Sequence, residues 1–192
     1  MAAGSWTADR SLAYRERTVA DEVVVVSWRS ACEHAFAEER ARLLSVLGPR
    51  VVAIEHIGST AVPGLAAKPV IDLLCGFPTY DDAVLAVPLL VKDGWELPED
   101  INAKITNRRF LKRVKDGVRT HHAHLIAHGG ALWDEYVLFR DALREDEEIR
   151  EEYEALKRKL AEQFREQRDS YTASKADFVA RVVAARRKSL GR

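Results

Sequence analysis

The chain has little of what marks a specialised architecture. Its 192 residues include two cysteines, one methionine and six prolines. Cys32 and Cys75 are too few for a disulfide framework and lack metal-ligand spacing, so both are expected as buried thiols in a reducing, cytoplasmic setting. No segment approaches the roughly 20 apolar residues needed to cross a bilayer, and the N-terminal stretch has no apolar core of signal-peptide length. Net charge is missing as well. Thirty basic side chains balance thirty acidic ones, which excludes a nucleic-acid carrier that works through overall charge. No internal repeat or low-complexity tract is present. What remains is 47% hydrophobic content, enough for one core of ordinary size. The expectation is a monomer or homodimer acting on small molecules, with no nucleic-acid or membrane partner.

Hydrophobic periodicity divides the chain into a flexible N-terminal arm at 1–20, an α/β core at 21–128 and a C-terminal helical region at 129–192 packed on that core. After a short extended segment, Val23 to Val26, apolar residues from Trp28 to Leu47 recur at helical spacing until Gly48-Pro49 stops them. His34 and the Glu38-Glu39-Arg40 run fall off that stripe and are expected in solvent. Val51 to Ile57 and Val70 to Cys75 read as β-branched, central strands. Thr79 with Asp81-Asp82 starts a helix through Lys92, in which Pro88 predicts a kink or two short pieces. Trp95 to Leu97 reads as an edge strand, and 98–107 as a loop. Asp116-Gly117 turns a hairpin between Arg108 to Val114 and Val118 to Ala127. Helices are predicted over 131–145, 147–168 and 171–188, the basic Arg186-Arg187-Lys188 run being a solvated helix end.

Two stretches carry chemical signal. Between the first two strands lies a loop of small residues with Gly58, Ser59, Thr60 and Gly64, whose backbone can approach an anion closely. Lys68 follows it directly as a counter-charge. The second strand then delivers a lone carboxylate, Asp72, from an apolar run. An ionised aspartate there costs several kcal/mol unless it meets a metal, a cation or a set of donors. Phosphates on the loop and Mg²⁺ on carboxylates make a consistent pair, with Glu55 of the preceding strand as a second carboxylate if its face matches. A tight turn with Asp72 bonded to loop amides is the plain structural alternative. The other stretch runs from Thr120 to His128, with four histidines in eight residues. Alternation puts His122, His124, Ile126 and His128 on one face, so His122 and His124 can bind a divalent metal or donate to oxygens. Arg108, Phe110 and Lys112 share one face of the neighbouring strand, Arg109, Leu111 and Arg113 the other; either could meet a polyphosphate or guard a sheet edge.

The run from Glu55 to Asp72 resembles the signature of the GrpB family, and His122-Ala123-His124-Leu125 is similar to its His-x-His-Leu strand. Phe139 to Arg144, Tyr153, Leu156-Lys157, Leu160, Tyr171-Thr172, Lys175 and Phe178 resemble its helical half. That family resembles the polymerase-β-like nucleotidyltransferases and also occurs attached to dephospho-CoA kinases. The resemblance implies an α+β fold with a nucleotidyltransferase-like mixed sheet. It implies Gly58 and Ser59 as the nucleotide-holding loop and Asp72 as the first catalytic aspartate; beside it, Thr60, Lys68 and Lys175 are expected as further nucleotide-binding residues, Glu55 as a second catalytic carboxylate, and Asp72, His122 and His124 as ligands for Mg²⁺ or another divalent metal. The substrates implied are an NTP, first of all ATP, and a small acceptor. One departure is plain: active members carry a second carboxylate two residues beyond the first, and Leu74 stands here. A non-catalytic nucleotide- or CoA-like phosphate-binding module and a metal-dependent hydrolase built on His122, His124 and Asp72 are the alternatives.

Overall fold

Residues 31–164, 170 and 173–191 are described by a computed structural model. The expected arm, the Val23 to Val26 segment, Trp28, Tyr171, Thr172 and the last residues of the 147–168 helix lie outside them.

Helix α1 (Ala31–Leu47) ends in a short 3₁₀ turn at Gly48–Arg50 and leads into β1 (Ala53–Ile57). Strand β2 (Ile71–Phe77) is followed by α2 (Tyr80–Lys92), whose start is fixed by a reciprocal cap between Thr79 and Asp82. Pro88 sits inside α2 without dividing it; the ring removes one ladder bond, and burial of Ala83, Ala86, Val87 and Leu90 holds the rest. The stretch 98–107 is not wholly loop, since Glu99–Asn102 forms the single turn α3. The hairpin β3 (Arg109–Lys115) and β4 (Val118–Ala127) closes at Asp116 and Gly117, with φ of 52° and 75°, as a two-residue turn with both centres left-handed requires. Beyond Trp95, Glu96 makes an isolated bridge to Lys112. Three helices complete the chain: α4 (Ala131–Glu145), α5 (Glu147–Gln163) and α6 (Ala176–Ser189).

The sheet order is β1-β2-β4-β3. β2 and β4 run parallel, and the two outer pairs are antiparallel. The expected mixed-sheet α+β architecture is therefore present, with one correction: β1 lies at an edge, not in the centre. Its apolar content comes from being covered on both faces.

One face of the sheet meets α1 and α2 through Ile54, Ile71, Leu73, Leu111 and Leu125. On the other, Ile57, Leu74 and Ile126 pack under Trp133 of α4. A further cluster joins Val62 and Leu65 of the loop to Leu143, Tyr153, Phe178 and Val182. Val62 and Leu65 are fully buried, and each contributes about 1.5–3 kcal/mol to fixing the loop against the C-terminal helices.

Glu39 corrects the reading of α1. It is buried, and Arg113 of β3 donates to its Oε1 at 2.9 Å. His34, as expected, lies in solvent beside Glu38. Cys75 is buried and Cys32 only half-buried.

Candidate functional site

The parallel pairing of β2 with β4 places Asp72 opposite His122 and Leu74 opposite His124. Strand alternation turns all four toward α4. His122 Nδ1 lies 2.8 Å from Asp72 Oδ1, so the histidine donates there and leaves Nε2 as its other ring nitrogen. The Asp72 side chain keeps 26% of its surface exposed. Burial works against its charge, but the hydrogen bond from His122 and the proximity of that ring, chief among its neighbours, outweigh it and hold the carboxyl below the usual carboxylate range.

The loop meets the same carboxylate. Gly58 has φ +70° and ψ −175°, a conformation open essentially to glycine alone. A Cβ on Gly58 would stand 2.5 Å from Asp72 Oδ2. The chain then makes a 3₁₀ turn at Ser59–Ala61. From α4, Arg144 donates to the Ala61 carbonyl at 2.9 Å and Arg140 to the His56 carbonyl at 3.1 Å. From α5, Glu154 accepts from the Ala66 amide at 3.1 Å while buried Lys157 donates to the Ala66 carbonyl.

Two lysines feel the charge of the carboxylate. Lys68 is pushed down to about 8 by burial and by Lys175, with Asp72 opposing. Burial likewise brings Lys175, at the start of α6, down to about 8 against the pull of Asp72. Both remain mostly cationic at neutral pH, so positive charge gathers from the loop and from the C-terminal helix on one aspartate.

Other expected site residues are placed differently. Glu55 does share the face of Asp72, since Glu55 pairs with Leu74 and Ile57 with Asp72. Its carboxylate is nonetheless bound by Arg140 at 2.7 Å, so it completes no carboxylate pair. Thr60 turns inward: it is buried, donates to the Val70 carbonyl at 3.2 Å and lies 3.1 Å from His56 Nε2. Its side chain fixes the loop from within and does not present a hydroxyl to a ligand. His124 is held neutral, pushed down to about 3 by burial, with Arg108 adding to the effect and Asp72 opposing it. Among the described residues, no group of three or more His, Cys, Asp or Glu side chains could hold a metal ion by itself. Asp72, His122 and His124 are thus not a three-ligand cage. Asp72 fits instead a cation that arrives with ligand phosphates, since Mg²⁺ commonly takes one or two carboxylates and completes its shell with phosphate and water.

Tyr136 was not singled out in the sequence, and Arg140 and Lys157 entered only through the resemblance of the helical half, with no role attached. Tyr136 of α4 accepts from Arg108 Nη1 at 2.8 Å and lies against the His124 ring, with centroids 5.3 Å apart. No local signal marks their roles, because Arg140 reaches Glu55, Lys157 the Ala66 carbonyl and Tyr136 Arg108 from far along the chain. Among the described residues no helix is long and apolar enough to cross a membrane.

An α+β protein with a mixed four-stranded sheet, and with a glycine-dependent loop set against a strand aspartate, is the class defined by this fold and site. Residues 22–185 match the family described as GrpB protein, and the chain belongs to that family. It is 31% identical over 165 residues to the glutamate-rich protein GrpB of Alkalihalophilus pseudofirmus, covering 84% of this chain and 94% of that one. It is 34% identical over 158 residues to UPF0157 protein YqkA of Bacillus subtilis; there the match takes in 82% of this chain but 45% of the relative, so the chain spans about half of that protein's length. A crystal structure of conserved protein GrpB from Enterococcus faecalis is similar at a TM-score of 0.77 and 29% identity, covering 88% of this chain and 100% of that one.

Proposed function

We propose that the protein is a nucleotidyltransferase that moves a nucleoside monophosphate from an NTP to a small-molecule acceptor. The observation that supports this most directly is Asp72, held in its charged form and hydrogen-bonded to His122, with its charge acting on Lys68 and Lys175. A carboxylate kept charged beside cations suits a polyphosphate that carries its own metal.

In this reading Lys68 and Lys175 bind non-bridging phosphate oxygens, and the backbone from Gly58 to Ser59 approaches the triphosphate. Asp72 is the residue that would hold Mg²⁺, which when bound supplies charge neutralisation at the phosphate oxygens. Asp72 also orients His122, whose Nε2 takes the proton of an acceptor hydroxyl. The acceptor oxygen forms a bond to the α-phosphorus, the bond from the α-phosphorus to the α,β-bridging oxygen breaks, and pyrophosphate leaves with the electron pair. Exchanging Asp72→Asn is expected to abolish Mg²⁺-dependent NTP turnover with little change in melting temperature. Unaltered turnover would rule the assignment out.

A second reading has its own support. Leu74 is fully buried where a second carboxylate would stand, and Glu55 is committed to Arg140. Both favour a module that binds a nucleotide or a CoA-like phosphate without transferring it. Pyrophosphate release from an NTP in the presence of an acceptor library separates the two: release supports transfer, and nucleotide binding without release supports the module.

A further inference from the structure

Along β4 the site continues beyond His122. Arg108, just before β3, lies on the same face as His124, because Phe110 pairs with His124 and Arg109 with Leu125. Two residues of strand separate His122 from His124, about 7 Å, so this second group lies one step farther from the loop than Asp72. Its polar atoms are not all satisfied. Arg108 Nη1 reaches Tyr136, but Arg108 Nε and His124 Nδ1 are both buried without a hydrogen-bond partner. Buried polar nitrogens left without partners are costly. Two of them on adjacent strands, with a tyrosine hydroxyl alongside, suit an oxygen-rich group supplied from outside the chain. The Tyr136 hydroxyl is kept protonated, burial first and Asp72 with it raising its pKa against Arg108, so it can donate.

We propose that Arg108, His124 and Tyr136 form a second anion-binding subsite, which receives a carboxylate or phosphate group of the acceptor. Its assignment to the acceptor rests on the transferase reading above; its capacity to bind an oxyanion does not. Lys68 and Lys175 take the nucleotide phosphates on the loop side of Asp72, while Arg108 anchors the acceptor on the β3 side. The acceptor is thereby a small hydroxylated acid or phosphate ester, with its hydroxyl presented near His122.

The full chain is saturated with α,β-methylene-ATP and titrated with inorganic phosphate in one arm and succinate in the other. Calorimetry gives the affinity, and ¹⁵N resonances of the His124 ring report occupancy. Saturable binding of either probe with a shift of His124 Nδ1 is expected, phosphate or succinate winning according to the acceptor's group. Arg108→Gln should weaken that binding about tenfold, the loss of one charge-assisted donor set, and leave affinity for the analogue unchanged. Tyr136→Phe should weaken it less, and serves alone if Arg108→Gln does not fold. Absence of saturable binding, or binding indifferent to the soluble variants, overturns the subsite. If the analogue itself does not bind while phosphate still shifts His124, the transferase reading fails and the subsite stands.

Discussion

Gly58 and the Asp72 carboxylate occupy adjoining space so closely that a methyl group on the glycine would lie 2.5 Å from Oδ2. The loop backbone therefore passes directly over the charged atom, in a conformation with φ +70° that side-chain-bearing residues rarely adopt. Gly58→Ala combines backbone strain with displacement of Asp72. The strain alone is worth about 1–3 kcal/mol. Urea denaturation should register that loss, and nucleotide affinity should fall further than stability does. An alanine variant that binds nucleotide like the parent would show that the loop and Asp72 are not one unit.

His56 makes the fold acid-sensitive. It is stacked on Phe36, with centroids 4.6 Å apart, and burial pushes its pKa from 6.5 down to about 4, with Arg144 and Arg140 adding and Asp72 opposing. Between those pH values the unfolded chain binds a proton that the folded chain does not. Stability contributed by neutral His56 is accordingly full above pH 6.5 and is lost as the pH falls toward 4, by roughly 3 kcal/mol in all. His124, also held neutral by burial, acts in the same direction at lower pH. In His56→Gln, urea midpoints measured across that window should decline less steeply than in the parent. Equal slopes would remove His56 as the cause.

On the far face of the sheet, Arg113 lies over Trp95 at 4.8 Å and joins Glu39 at 2.9 Å to Asp93 at 2.7 Å. Arg113→Ala leaves the Glu39 carboxylate buried without its main partner, a change that costs about 3–5 kcal/mol. Replacing both ends, Glu39→Leu with Arg113→Met, should restore most of the loss, because no charge is then stranded. Chemical denaturation of the two singles and the double measures the coupling, and nucleotide affinity should be unchanged in all three below their melting temperatures. Additive losses would mean that the pair is not coupled.

How far the sequence could be read depends on the range of each signal. The hairpin turn at Asp116-Gly117, the cap at Thr79 and the helix over 131–145 rest on residues a few positions apart, and the structure has them where they were expected. The alternation that grouped His122 with His124 also holds. Glu39 was misjudged as a surface charge, and the burial of Lys157 was not foreseen. Each is buried because a partner arrives from far along the chain, Arg113 for one and the Ala66 carbonyl for the other. Glu55 was on the expected face but not in the expected role, since only the packing of α4 brings Arg140 to it. Thr60 illustrates the converse: a hydroxyl in a small-residue loop suggests a ligand contact, while the adjacent Val70 carbonyl and His56 claim it first.

The Ala66 peptide is gripped from both ends by α5. Its amide donates to Glu154 and its carbonyl accepts from Lys157, two residues before Lys68. Burial, with Lys175 and Arg158 adding and Glu154 opposing, pushes the Lys157 ammonium down to about 7. Since the unfolded chain holds that proton up to its ordinary 10.5, Lys157 makes stability rise as the pH goes from about 7 toward 10.5. Lys157→Met keeps the stem against Tyr153 but removes both the donor and the titration. The lost hydrogen bond, about 1–3 kcal/mol, is offset by relief of a buried charge, so the melting temperature at neutral pH should move little. The rise in stability toward alkaline pH should flatten, amide exchange across Ala66 and Ala67 should quicken, and nucleotide affinity should drop because Lys68 is no longer held in register with Asp72. Unchanged exchange at Ala66, together with unchanged affinity, would show that the loop holds its shape without the helix.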